Sequence, residues 1–430
     1  MDKDTINILC KQMSVKKEVV EFINNKEKSI VEKFKYIEQI REYNQYKVIN
    51  AMQKARLNAT HFSWTTGYGY DDVGRDKVEE VYSLIFNTED ALVRPTIVSG
   101  THALTLVLSG ILRQGDELLS ITGKPYDTLQ KVIGITGNEK GNLLEYGIKY
   151  NDVDLKDNGD FDTKKILSSI KSNTKIILIQ RSTGYSTRKA VTVGDIKTIT
   201  KEIKNVDENI IVMVDNCYGE FIEKLEPTDV GVDIMAGSLI KNPGGGLGLT
   251  GGYIVGNKDL VELVANRSTA PGIGKECGLT FGTTRNTLQG LFLAPNVVAQ
   301  SLKGALLVAK AYKDLGYEII PDINDKRGDI IQSVIFNNEQ AVIKFCQGIQ
   351  SASPVDSYVL PEPWDMPGYE EPVIMAAGAF IQGSSIELSA DAPIREPYVA
   401  YFQGGLTYDH CKLGVMKSLN NLYENGLVNL

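Results

Sequence analysis

Short apolar runs alternate with amphipathic segments between residues 90 and 260. The runs cover residues 96–98, 117–121, 175–179, 210–214 and 252–255. Strands that alternate with helical segments are typical of βαβ units around a mostly parallel sheet. The pattern therefore predicts an α/β fold whose main sheet lies between helices.

The flanks of this region follow other patterns. Residues 1–55 mix charges with apolar residues at helical spacing, which predicts an N-terminal helical arm. After residue 295 the chain has a helical stretch at 297–312, shorter strands and a proline-rich segment at 361–363. A chain of 430 residues is long enough for two or three domains. We expect a large domain over residues 56–295 and a smaller α/β C-terminal domain over residues 296–430.

Composition and charge exclude several partners. The net charge of −8 argues against nucleic acid, which clustered Lys and Arg side chains would hold. The five cysteines are far apart and form no CxxC pair, and the three histidines are scattered, so we expect neither disulfides nor a metal site. The N-terminus lacks an apolar signal core, and the sequence predicts no membrane segment. These features favour a cytoplasmic protein.

Lys241 lies in a glycine-rich turn, GSLIKNPGGG at 237–246, and Asp215 ends the apolar run at 210–214. A lysine that forms a Schiff base needs a setting that admits a flat cofactor, and pyridoxal phosphate (PLP) needs a carboxylate on its ring nitrogen. A buried carboxylate is costly without such a cation. The pair predicts a PLP site in which burial and cationic neighbours lower the pKa of Lys241. The alternative for Asp215 is an ordinary helix cap.

Three further segments fit a PLP site. Ser99, Gly100, Thr101 and His102 open a helical run, where free N–H groups and the helix dipole would suit the cofactor phosphate. A plain N-cap is the alternative. Tyr126 follows the run at 117–121 and would stack on the cofactor ring, with His102 as a rival and an ordinary turn residue as the alternative. Ser238, close to Lys241 in sequence, is placed to reach the phosphate.

The segment GLGLTG at 246–251 matches the GxGxxG pattern of dinucleotide-binding proteins. That motif requires a strand before it and a helix after it. Here a turn precedes the glycines and a predicted strand follows them. The glycines are therefore interpreted as positions where the backbone passes close to the cofactor.

Six motifs in this order resemble a known group of proteins. They are TGYGYDDVGR (66–75), VSGTHA (98–103), GKPYDT (123–128), VDNCYGE (214–220), GSLIKNPGGG (237–246) and DAPIREPY (391–398). Over nearly its whole length the chain resembles fold-type I PLP-dependent enzymes, which have an aminotransferase-like fold. Within them it resembles the methionine gamma-lyase-like family often labelled aluminium resistance proteins, which is part of the cystathionine and methionine lyase group.

The resemblance assigns roles to these residues. It implies that Lys241 forms the aldimine, Asp215 contacts the ring nitrogen and Tyr126 stacks on the ring. It implies that Gly100, Thr101 and Ser238 bind the phosphate. In the wider group a tyrosine and an arginine of a neighbouring subunit also reach the phosphate, and Tyr70 and Arg75 match them loosely. A shared site implies at least a homodimer, and the resemblance favours a homotetramer.

Two arginines are candidates for the substrate carboxylate, because a planar guanidinium pairs with a carboxylate through two hydrogen bonds. Arg395 is the first candidate and Arg181 the second, and surface or structural ion pairs are the alternative for both. The chain departs from the lyases at residues 180–183, where QRST replaces a Glu-Ser-Pro-type segment, and at 404–407, where their usual arginine motif is missing.

The resemblance implies a PLP-dependent carbon-sulfur lyase that acts on a small sulfur amino acid, such as methionine or cystathionine. Lys241 would remove the α-proton, and a leaving group at Cβ or Cγ would then depart. Two alternatives stay open. An aldolase or aminotransferase would use the same lysine and aspartate, and a noncatalytic PLP-binding protein of stress tolerance would turn over no amino acid.

Overall fold

The computed structural model describes residues 1–366 and 371–430. In this part of the chain the α-helices are α1 (Lys3–Asn7), α2 (Lys17–Lys54), α3 (Val73–Ile85), α4 (Gly100–Ile111), α5 (Asp127–Ile133), α6 (Thr163–Ser169), α7 (Val193–Val206), α8 (Lys258–Ser268), α9 (Thr284–Asp314), α10 (Glu339–Ser351) and α11 (Tyr408–Glu424). The strands are β1 (Asp90–Arg94), β2 (Glu117–Ser120), β3 (Lys149–Asp152), β4 (Thr174–Gln180), β5 (Ile211–Asp215), β6 (Ile234–Ser238), β7 (Gly252–Gly256), β8 (Glu318–Ile320), β9 (Gln332–Ile335), β10 (Val373–Ala376), β11 (Ser389–Pro393) and β12 (Val399–Gln403). Short helical turns of π or 3-10 type cover Ile8–Gln12, Ala59–Phe62, Pro227–Val230 and Asn242–Gly244.

The first sheet has the order β1-β7-β6-β5-β4-β2-β3. The strands from β6 to β3 are parallel, and β7 runs antiparallel to both of its neighbours. Side chains alternate between two apolar layers, as β5 illustrates: Val212 and Val214 join one core, and Ile211 and Met213 join the other. Helices cover both faces of the sheet. The strands are therefore buried on both sides, which explains why they are apolar throughout. The predicted α/β architecture is confirmed.

The second sheet, in the order β10-β11-β12-β9-β8, is antiparallel. One of its faces packs on α9 and α10 through small and apolar side chains such as Ala390 and Phe402. The alternate residues Asp391, Tyr401 and Gln403 belong to the opposite face, since side chains in a strand alternate with a period of two. This second face carries polar side chains together with Ile335, Val399 and Tyr401, and it packs against Tyr185 and Tyr218, which follow strands of the first sheet.

Helix α9 starts earlier than the sequence indicates. It is continuous from Thr284 to Asp314 and contains Pro295, whereas the pattern predicts a helix at 297–312. A proline inside a helix removes one hydrogen bond and is ordinarily interpreted as a break. The predicted domain boundary at 295 and 296 therefore falls inside one helix. Helix α2, within the predicted arm, packs along α9.

Helix α9 is also apolar enough to pass a length and composition test for a membrane span. It is the one helix of residues 1–366 and 371–430 that does so, and most of its apolar stretch is buried inside the fold. Such burial is what the core helix of a folded domain shows.

The strand predicted at residues 96–98 is wrong. The ladder of β1 ends at Arg94, and residues 95–98 form a turn before α4. Pro95 explains the difference, because proline has no N–H to donate to a strand ladder. The apolar side chain of Ile97 is buried in the core beside α4, which is why its segment is apolar.

Candidate active site

A cavity of about 600 Å³ opens at the carboxyl edge of the parallel strands. Its walls come from the segments that follow β2, β4, β5 and β6, from the start of α4 and from the polar face of the second sheet. Open α/β sheets bind their ligands at this edge, because the loops after the strands converge there. The predicted residues Ser99, Gly100, Thr101, Tyr126, Asp215, Ser238, Lys241 and Arg395 all line the cavity.

Lys241 follows β6 and precedes the turn at Asn242–Gly244. Its Nζ lies 3.9 Å from the centroid of the Tyr218 ring, whose hydroxyl accepts a hydrogen bond from Ser385 Oγ at 2.9 Å. Burial by itself lowers the pKa of Lys241, but Cys217, Tyr218, Asp215 and Tyr126 favour the ammonium, and the net direction is upward. This direction is opposite to the predicted lowering, because the titratable groups beside the amine, Asp215 among them, are acidic side chains rather than cations.

Asp215 is the last residue of β5 and is 4% exposed. Its Oδ1 accepts a hydrogen bond from the Cys217 N–H at 3.1 Å. Burial raises the pKa of this carboxyl, although Lys241, the Cys217 N–H and Arg188 oppose the shift. A further cation beside this buried carboxylate would stabilise its charged form. The protonated ring nitrogen of the cofactor could be that cation.

The start of α4 offers hydrogen-bond donors to an anion. Ser99 caps the helix by accepting the His102 N–H at 3.1 Å. The N–H groups of Gly100 and Thr101 donate to no atom of the described residues. A Cβ at Gly100 would lie 3.2 Å from Cys217 Sγ and 3.4 Å from Ser238 Cβ, so a side chain there would crowd this corner. Free N–H groups and a helix dipole beside Ser238 fit a phosphate.

Tyr126 is held by hydrogen bonds at its backbone N–H and at its hydroxyl. Its N–H donates to Gln180 Oε1 at 2.8 Å, and its hydroxyl lies 2.8 Å from Thr101 Oγ1. Burial, with a smaller effect from Asp215, raises the pKa of this phenol. The ring is therefore held on the cavity wall with its hydroxyl proton retained at neutral pH.

Three predicted cofactor residues lie outside the cavity of this chain. His102 points to its own turn, where Nδ1 accepts the Val98 N–H at 3.2 Å. Tyr70 is 58% exposed and packs on Tyr68 with ring centroids 5.6 Å apart. Arg75 is 3% exposed, and its guanidinium donates to backbone oxygens of its own chain, among them those of Glu276 and Gly278. A contribution of Tyr70 and Arg75 to a neighbouring subunit stays a prediction.

The prediction that Arg181 binds substrate is wrong. The residue is fully buried, and its guanidinium donates to Asn216 Oδ1 at 2.9 Å, the Gly219 oxygen at 2.7 Å and Glu223 Oε1 at 2.9 Å. Glu226 lies 3.8 Å away. This arginine joins β4 to the segment after β5 and faces away from the cavity, so its role is structural.

Arg395 does line the cavity, but at its exposed side. Its guanidinium lies 3.3 Å from Glu371 Oε2, and 46% of the side chain is exposed. A second cavity of about 300 Å³ shares Tyr185, Arg395 and Tyr401 with the first. The side chain therefore stands at the boundary of two cavities.

Arg188, Asp391 and Gln403 also line the cavity, although the sequence patterns assign none of them a role in the site. Gln403 Nε2 donates to Asp391 Oδ2 at 2.9 Å, and burial raises the pKa of this acid to about 6. Ser389 and Asp391 alternate with Ala390 and Ala392 in β11, and this pattern, which indicates a strand with one polar face, could have pointed to Asp391. No comparable signal marks Arg188 within residues 180–189.

The fold is that of the fold-type I class of PLP-dependent enzymes, as its structural neighbours show. Within this class the chain belongs to the methionine gamma-lyase family, whose profile matches residues 19–423. This confirms the resemblance inferred from the six motifs.

The solved structure of a carbon-sulfur lyase involved in aluminium resistance from Clostridium novyi is 50% identical. It covers 98% of this chain and 100% of its own, with a TM-score of 0.94. A protein from Clostridium acetobutylicum, proposed to be a cystathionine beta-lyase involved in aluminium resistance, is 51% identical over 98% and 99% of the two chains, with a TM-score of 0.95. The uncharacterized protein YnbB of Bacillus subtilis is 52% identical over 92% of this chain and 94% of its own.

Proposed function

We propose that this protein is a PLP-dependent carbon-sulfur lyase that acts on a sulfur-containing amino acid. The observation that carries the proposal is the convergence of Lys241, Asp215, Tyr126 and the start of α4 on one cavity. Membership of the methionine gamma-lyase family and the likeness to a carbon-sulfur lyase of Clostridium novyi support it.

The residues present fit the cofactor. The N–H groups of Gly100 and Thr101, with Ser238, would hold the phosphate, and Asp215 would pair with the ring nitrogen. Tyr126 would lie against the ring, and Lys241 would hold the aldehyde carbon. When bound, the cofactor supplies an electron sink for negative charge that develops at the substrate Cα.

The chain's own residues would then move protons. Lys241 Nζ is the amine that can accept the α-proton, and the acids around it favour the ammonium that results. A cation held by Asp215 would neutralise one of these acids and bring the amine closer to its basic form. Tyr126 retains its proton because burial raises its pKa, so its hydroxyl can donate a hydrogen bond to a departing sulfur.

We also propose a homo-oligomer. Trp64, Tyr68, Tyr70 and Phe281 are more than half exposed. Their segments adjoin, because Gly278 N–H donates to the Tyr68 oxygen at 2.9 Å and a Cβ at Gly282 would lie 3.8 Å from the Trp64 ring. Exposed aromatic side chains on two joined loops are suited to contact with a second subunit.

The test is a product assay. Protein loaded with PLP is mixed with cystathionine, cysteine or methionine, and keto acid, ammonia and the sulfur product (a thiol, or sulfide from cysteine) are measured together. Equal release of the three from one of these amino acids is the expected result. An aldolase would instead give glycine and an aldehyde, and an aminotransferase a keto acid without ammonia. A cofactor band that no amino acid changes would indicate a noncatalytic binder.

A further inference from the structure

The cavity holds more cations than the cofactor chemistry uses. Lys124, Arg188, Lys241 and Arg395 all line it. With Lys241 reserved for the cofactor, three side chains remain that could meet the carboxylate of an amino acid. Their surroundings distinguish them.

Arg395 and Lys124 are both poorly suited. Arg395 is already paired with Glu371 at 3.3 Å and is 46% exposed, so solvent screens its charge. Lys124 is exposed at the rim, and an ammonium is a point charge without the planar fork that matches a carboxylate.

Arg188 is held in a fixed orientation inside the cavity. Its guanidinium donates to the backbone oxygens of Gln180 at 2.9 Å, Ser182 at 2.6 Å and Lys189 at 3.0 Å. Three of its five N–H groups are thereby used by neutral acceptors. No carboxylate of residues 1–366 and 371–430 lies within 4.0 Å of it. The group is thus oriented by the backbone, and its charge has no close anion among these residues.

The two acids that act electrostatically on Arg188, Asp329 and Asp215, do not supply that anion. Asp329 accepts hydrogen bonds from Ser182 Oγ at 2.8 Å, Thr183 N–H at 3.1 Å and Ile331 N–H at 3.0 Å, so both of its oxygens are engaged. Asp215 is the expected partner of the cofactor nitrogen. Burial lowers the pKa of Arg188 to about 10, and these two acids oppose the shift only in part. A half-buried cation without a close anion is costly, and a ligand carboxylate would reduce that cost.

We propose that Arg188 binds the α-carboxylate of the substrate. This inference rests on the proposed function, because an amino-acid substrate is assumed. Arg188 thereby takes the role that the sequence predicted for Arg395. This assignment explains how a chain that lacks the arginine motif of the related lyases at residues 404–407 can hold a carboxylate. The rival anion in the same cavity is the ring oxygen of the cofactor.

The test compares an amino acid with its uncharged α-carboxamide. The amino acid that the wild-type enzyme cleaves fastest and its amide are assayed with wild type, Arg188→Gln, Arg188→Lys and Arg395→Gln. Arg267→Gln, an exposed arginine outside the cavity, is the matched control. Arg188→Gln should reduce the preference in kcat/KM for the acid by about 10- to 150-fold, the range for hydrogen bonds to charged groups. Arg188→Lys should restore part of it, whereas Arg395→Gln and Arg267→Gln should keep it.

A binding assay without turnover separates this proposal from the proposed function. Desaminomethionine, which lacks the amino group, and its carboxamide are titrated into each protein by calorimetry. If wild type binds the acid more tightly than the amide and Arg188→Gln does not, the carboxylate site is supported even if no lyase activity is found. Equal affinity of wild type for acid and amide, a preference that survives in Arg188→Gln, or its loss in Arg395→Gln alone would overturn the proposal. If Arg188→Gln loaded with PLP has an altered absorbance spectrum but still prefers the acid to the amide, Arg188 contacts the ring oxygen of the cofactor instead.

Discussion

Replacement of Asp215 by asparagine separates cofactor binding from folding. The carboxylate is 4% exposed; its Oδ1 accepts the Cys217 N–H at 3.1 Å, and the Cys217 thiol is a further hydrogen-bond partner. Asparagine keeps the shape and the accepting oxygen but removes the charge. Because no lysine or arginine of residues 1–366 and 371–430 lies within 4.0 Å of Asp215, the protein without cofactor loses no close ion pair.

Two opposite effects are expected from this change. The free energy of unfolding of the protein without cofactor should change by less than ~1 kcal/mol or rise, since a neutral amide is less costly to bury than a charge. Cofactor affinity should fall, because a hydrogen bond to a charged group contributes about 1.5–3 kcal/mol. At about 1.4 kcal/mol for each tenfold change, the Kd for PLP should rise about 10- to 150-fold.

The assay is a PLP titration followed by absorbance, with thermal unfolding of both proteins before loading. Asp329→Asn is the matched control, since Asp329 is also a buried acid but accepts hydrogen bonds from Ser182, Thr183 and Ile331. That control should lower the Tm, because an amide cannot accept all three. A Kd within twofold of wild type in a folded Asp215→Asn protein would refute the pairing of Asp215 with the ring.

Two further predictions concern residues of different roles. Arg181→Met should lower the free energy of unfolding by about 1–3 kcal/mol in urea denaturation, because Asn216, the Gly219 oxygen and Glu223 lose a buried hydrogen-bond donor, while Glu226 keeps Lys47 at 3.8 Å; a variant of wild-type stability with a raised KM would contradict the structural role. For Asp391, burial raises the pKa to about 6, so the folded protein holds this proton more tightly than the unfolded chain does. Its contribution to stability should fall, by up to about 3 kcal/mol, as the pH rises from about 4 to about 6. Asp391→Asn should lack that part of the pH dependence in denaturation of the protein without cofactor, and an unchanged profile would refute the assignment.

Local sequence was sufficient to place the residues proposed for the cofactor chemistry. Asp215 ends an apolar strand, Lys241 and Tyr126 follow one, and the carboxyl ends of parallel strands meet at one edge of a sheet. The start of α4 was recognisable from the capping pattern of Ser99. These features depend on a few neighbouring residues, which is why they could be predicted.

The arginines could not be assigned in this way. Arg181 and Arg188 both follow β4, and only the path of the backbone after Gln180 decides which guanidinium enters the cavity. The direction of the Lys241 pKa was also inaccessible, because Cys217, Tyr218 and Tyr126 approach the amine from other segments. Contacts between distant segments set charge and burial, and a local pattern does not contain them.

The most direct test of the central claim is chemical trapping of the cofactor on its lysine. Protein loaded with PLP is reduced with borohydride, digested and mapped by mass spectrometry, with Lys241→Ala treated in parallel. We expect the reduced cofactor on the peptide that contains Lys241 and no modified peptide in the variant. A cofactor trapped on another lysine, or a visible cofactor band that persists in folded Lys241→Ala protein, would contradict the assignment of this cavity as a PLP site built on Lys241.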